Sequence, residues 1–78
     1  MKDVNASIIT IGDELLIGQT IDTNSAFIAR ELNNIGVWVK SRIAVGDDKQ
    51  EIIDALNLFS RNNDLVIITG GLGPTADD

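Results

Sequence analysis

The sequence predicts an α/β chain: three layers, a parallel sheet with helices on both faces. Three observations predict it. The apolar runs at residues 6–11 and 65–69 are nearly continuous and rich in β-branched side chains rather than alternating, the pattern of strands covered on both faces. Amphipathic helical stretches separate three strand candidates, so the order is strand-helix-strand-helix-strand, which calls for parallel pairing with right-handed crossovers. Each strand candidate also ends at a glycine with acidic residues close behind: Gly12-Asp13-Glu14, Gly46-Asp47-Asp48, and Gly70-Gly71 with Asp77-Asp78 beyond.

The elements follow in order. The first strand spans residues 6–11 and stops at Gly12, and a loop punctuated by Gly12 and Gly18 follows. The first helix starts near residue 23 with Asp22 or Thr23 as its cap, carries Ile28, Leu32 and Ile35 as an apolar stripe, and meets a left-handed terminator at Gly36. The second strand, residues 37–45, is expected to alternate, with Val37, Val39, Ser41, Ile43 and Val45 facing one way. Trp38, Lys40, Arg42 and Ala44 then face the other, so Lys40 and Arg42 form the nearest thing to a basic cluster. Asp48 and Glu51 have the spacing of a capping box, opening a helix with Ile52, Leu56 and Phe59 as its stripe and Ile53 alongside. The third strand is residues 65–69. A third helix is expected where the 78 residues end, so the sequence is expected to be the N-terminal half of a larger domain, cut short or completed by another chain. A sheet left open on one flank makes a homo-oligomer the expected state.

Composition narrows the function. There is no cysteine and no histidine, which removes disulfide staples, thiolate nucleophiles, Ser-His triads and the usual zinc sites; a metal site would have to be built from oxygen and suits a hard divalent cation such as magnesium. A net charge of −6 argues against bulk nucleic acid as a partner. No apolar run approaches the ~20 residues of a membrane span and no signal peptide is visible, so no membrane partner is expected and the cytoplasm is the expected location.

In a parallel sheet all strands end along one edge, where open α/β folds bind their ligands. The three acidic pairs, Asp13-Glu14, Asp47-Asp48 and Asp77-Asp78, are therefore expected to gather there. Any one pair reads first as helix capping, and Asp48 most of all; three pairs after three strands favour a cation site. Asp22-Thr23-Asn24 reads as a cap, Ser25 as a residue able to reach substrate, and Trp38 as packing or interface. Gly70, Gly71 and Gly73, with Thr75, let backbone N–H groups approach a phosphate, although the spacing is neither Walker A nor G-x-G-x-x-G. Amides for phosphates and carboxylates for a divalent cation suit phosphoryl or pyrophosphate chemistry.

With these residues in view, "ITIGDELLIGQTIDTNSAFIARELNNIG", "VGDDKQEI" and "VIITGGLGPTADD", in that order, resemble the start of the CinA family (competence/damage-inducible protein A). Its N-terminal domain is similar to the molybdopterin-binding domain of the molybdenum-cofactor proteins MoaB and Mog. The resemblance implies that fold in a domain about twice this length. It places Asp47 and Asp78 at the pterin-phosphate site, matches Asp13 and Glu14 to the family's "GDE" motif, and matches Gly70, Gly71 and Gly73 to its phosphate loop. It further implies metal-dependent ADP-ribose pyrophosphatase activity. The expected roles are then Asp13, Glu14, Asp47 and Asp78 in catalysis; Gly70, Gly71, Gly73 and Thr75 on phosphate; and Asp47, Asp77 and Asp78 on the cation. The partner would be a phosphorylated small molecule, ADP-ribose-like or a pterin. Two alternatives stay open: a molybdopterin-binding module without hydrolysis, and a structural unit without a ligand.

Overall fold

The computed structural model describes residues 4–18 and 22–70. They form β1 (Val4–Ile11), α1 (Asp13–Leu16), α2 (Thr23–Asn34), β2 (Val37–Val45), α3 (Lys49–Asn62) and β3 (Leu65–Gly70). The strands make one parallel sheet in the order β2-β1-β3, so β1 is central and its residues from Ala6 to Ile11 are all buried. The nearly continuous apolar run of β1 is explained by that position: hydrogen-bonded on both sides and covered on both faces, it has no wet side on which to alternate.

From β1 the chain moves to one side to form β2, then crosses back over β1 to form β3. Reversing direction with crossovers of one hand puts the two connecting helices on opposite faces. Accordingly α3 packs Ile52, Ala55 and Phe59 against Ile9, Ile11 and Val45, with Val66 of β3 on the same cluster, while α2 lies on the other face, where Ser25 meets Arg42 and shares Asp22 with Thr10. The three-layer expectation holds.

Helix boundaries follow their caps. The Asp22 carboxylate accepts from the Ser25 N–H and opens α2; the Asp48 carboxylate accepts from the Glu51 N–H and opens α3. Gly36 takes φ +92°, the left-handed terminator expected after α2. Three details differ. The loop expected after Gly12 contains the one-turn helix α1. Ile35, expected in the α2 stripe, lies beyond the helix and is 75% exposed. Ile53, placed alongside the α3 stripe, turns outward.

The larger correction concerns β2. Its pairing with β1 shifts between Ala6 and Ser7, from Ala6 opposite Val39 to Ser7 opposite Ser41, so Lys40 is an extra residue in a bulge. Paired residues of a parallel sheet share a face, so the shift inverts the alternation partway along the strand. Val37 and Val39 share the α2 face with Ala6, whereas Ser41, Ile43 and Val45 share the α3 face with Ser7, Ile9 and Ile11. Arg42 joins the α2 face. The expected Lys40–Arg42 cluster is thereby split: Lys40 Nζ donates to the Asn62 carbonyl at the end of α3, and Arg42 donates to Ser25 on α2.

Candidate functional site

The reversal of chain direction at β1 creates a crevice between the C-terminal ends of β1 and β3, the place where open α/β sheets hold ligands. A cleft of about 220 Å³ lies there. Its walls are Thr10 and Ile11 at the end of β1, Glu14 and Leu15 of α1, the start of α2 from Asp22 to Asn24, and Thr69 and Gly70 at the end of β3.

A chain of polar contacts crosses beneath it. Arg42 Nη1 donates to Ser25 Oγ at 3.4 Å. Ser25 gives Asp22 both its hydroxyl and, at 3.0 Å, its backbone N–H. From the other side Thr10 Oγ1 donates to Asp22 Oδ2 at 2.8 Å, and Thr69 Oγ1 donates to Thr10 Oγ1 at 3.3 Å. All three strands and α2 are thus tied through one carboxylate. Burial by itself pushes the Asp22 carboxyl up. The Ser25 hydroxyl and N–H, the Thr10 hydroxyl and the Arg42 charge together outweigh it, so the group sits below the usual aspartate value and is ionised at neutral pH.

The expected acidic residues are partly brought together. Asp13 Oδ1 accepts the Asp47 N–H at 3.0 Å, so its carboxylate lies over the turn after β2 and a Cβ on Gly46 would come within 2.9 Å of it. Asp47 is an exposed neighbour of that contact, and Asp48 is spent as the α3 cap. Glu14 instead folds back over Gly12 and lines the cleft. The described members of the acidic set therefore divide between the β1–β2 turn and the β1–β3 crevice. Among the described residues, no three acidic side chains are close enough together to hold a metal ion. Gly70, with φ +73°, closes β3 directly at the cleft. Gly71, Gly73, Thr75, Asp77 and Asp78 lie outside the described residues. No helix among the described residues is long and apolar enough to cross a membrane.

Thr10 and Thr69 are not among the residues expected at the site, and Asp22 is expected there only as a cap. A signal was present: β1 and β3 carry the same triplet, Ile8-Ile9-Thr10 and Ile67-Ile68-Thr69, and the sheet pairs them residue for residue. A threonine in an apolar run needs a polar partner: Thr69 donates to Thr10, and Thr10 donates to Asp22.

Residues 7–78 match the family described as "Probable molybdopterin binding domain". The chain is 56% identical over 75 residues to a CinA-like protein of Flavobacterium psychrophilum, an alignment covering 96% of this chain and 18% of that protein. It is 54% identical over 76 residues to Protein PH0439 of Pyrococcus horikoshii, covering 96% of this chain and 30% of the other. Among solved structures, the protein CinA with unknown function from Thermoplasma acidophilum aligns with a TM-score of 0.88 at 45% identity, over 94% of this chain and 43% of that one. The chain thus spans less than a third of the length of either curated relative.

Proposed function

The chain belongs to the probable molybdopterin binding domain family, alongside the CinA-like proteins, and from that premise we propose that the β1–β3 crevice binds a phosphorylated ligand and, with a divalent cation, hydrolyses a pyrophosphate of the ADP-ribose type. The observation that carries this is the position of Glu14. Its carboxylate lines a cleft at the topological switch point, next to the place where Gly70 leads into the glycine-rich segment. Backbone N–H groups of Gly71 and Gly73 are assigned to the phosphates, with Thr75 beside them.

The donor set suits a hard cation. Magnesium is commonly held by one or two carboxylates plus the phosphates of the substrate, so it does not require a cluster of three acidic residues. Asp77 and Asp78 would hold it, with Asp47 at the end of β2; such a cation would neutralise charge on the pyrophosphate. Glu14 is assigned the proton of the attacking water. The water oxygen bonds to one phosphorus, the bridging P–O bond breaks, and two phosphomonoesters leave.

A second reading, binding without hydrolysis, is favoured by the family's description as a binding domain. One experiment separates them: thermal melting of the protein with magnesium and ADP-ribose, with phosphorus NMR of the same samples. A melt raised only by both additions together, with phosphomonoesters appearing in the parent but not in Asp78→Asn, supports hydrolysis. A raised melt with intact ADP-ribose supports binding alone. A melt that neither addition moves rejects an ADP-ribose site.

A further inference from the structure

The directions of the hydrogen bonds beneath the cleft say more than their existence. An ionised carboxylate only accepts, so Asp22 takes the hydrogens of the Ser25 and Thr10 hydroxyls. Thr10, its one hydrogen committed to Asp22, can only accept from Thr69. Thr69 in turn spends its own hydrogen on Thr10. The hydroxyl at the rim of the crevice therefore has lone pairs left and no hydrogen to give.

Granted the phosphorylated-ligand function proposed above, on which this rests, we infer that Asp22 is a positioning residue for specificity. It polarises the Thr10–Thr69 pair so that the hydroxyls at the strand ends offer the cleft acceptors only, and this part of the wall, with Glu14 on the same cleft, selects ligands presenting O–H or N–H donors there. A bare phosphate or pyrophosphate at neutral pH presents chiefly acceptors and gains nothing from this wall. A ribose diol or the amino edge of a pterin presents donors and does gain.

Asp22 also caps α2, so a simple loss of affinity in a variant would not distinguish positioning from structural damage. The test compares two probes on each protein by calorimetry with magnesium present: ADP-ribose, which has ribose hydroxyls, and inorganic pyrophosphate, which has none. Asn still accepts at the cap but carries an NH₂ donor, which frees or reverses the threonine hydroxyls. Asp22→Asn is expected to weaken ADP-ribose about tenfold and pyrophosphate less than twofold. Thr69→Val, which keeps the shape and loses the hydroxyl without touching the cap, is expected to show the same selective loss, and Thr69→Ser to restore it. Equal loss of both probes, or loss of neither, in Thr69→Val overturns the inference while leaving the ligand function standing. A parent that binds neither probe overturns the ligand function and this inference with it. Sepiapterin and ADP-ribose measured in parallel distinguish the pterin amino edge from the ribose diol as the source of the donors.

Discussion

Asp22 and Thr10 meet across the junction of α2 and β1, the threonine hydroxyl donating to the carboxylate at 2.8 Å over a separation of twelve residues. The contact fastens the cap of a helix to the central strand beneath it. Because Asp22 also holds the Ser25 hydroxyl and N–H, the helix start, the strand end and, through Arg42, the edge strand β2 are tied into one unit.

Removing one member of this unit should be felt. Thr10→Val keeps the shape of a 5%-exposed side chain but takes one donor from Asp22 and one acceptor from Thr69. A loss of about 1–2 kcal/mol is expected in urea denaturation with an unchanged m-value.

Asp22 also predicts a pH dependence. Its carboxyl is held below the usual value in the folded protein, so its folded form binds fewer protons than the unfolded chain as acid is added. The stabilisation is complete above the ordinary aspartate pKa and is lost as pH falls through the lower, folded-state value. The stability gap between the parent and Asp22→Asn should accordingly be widest near neutrality and close in strong acid. A gap that stays constant with pH would contradict the assignment.

Gly70 is expected to tolerate no side chain. It has φ +73°, and a Cβ would stand 2.7 Å from the backbone carbonyl oxygen of Ile11, which cannot swing aside. Gly70→Ala should cost about 2 kcal/mol or more by urea denaturation, combining left-handed strain with the clash. If the cleft holds ADP-ribose as proposed, the variant should also weaken it, since the displaced strand ends line the cleft.

Asp13 and Glu14 are adjacent in sequence and should separate in function. Asp13→Ala loses the tie to the Asp47 N–H and should lower stability by about 1 kcal/mol. Glu14→Gln, exposed and without that tie, should leave stability within about 0.5 kcal/mol and reduce the proposed ADP-ribose hydrolysis on the order of a hundredfold or more. Equal effects of the two on turnover would remove Glu14 from its assigned role.

Ser7 offers the opposite sign. It is 1% exposed, and its hydroxyl makes no hydrogen bond among the described residues. Ser7→Ala removes an unpaired buried polar group and should be neutral or stabilising by up to about 1 kcal/mol, measured as a shift in the urea midpoint.

Whatever depends on neighbours along the chain can be read from the residues alone. The continuous apolar run of β1, the helical stripe of α3, the caps at Asp22 and Asp48 and the left-handed Gly36 are all local, and all were legible. So was the family, because three motifs in order carry it. Tertiary structure decided the rest. The bulge at Lys40 is a relation between β1 and β2, and it alone determines that Arg42 faces Ser25 rather than lying beside Lys40. The crevice exists because β3 pairs with the far side of β1, a choice no local pattern records. Asp22 could be read as a cap from its place before a helix, but its hold on Thr10 spans two elements that only folding brings together. Side-chain period and capping are set by bonds a few residues apart, whereas register and crevice arise from pairings between distant segments, whose geometry is fixed only when the sheet closes.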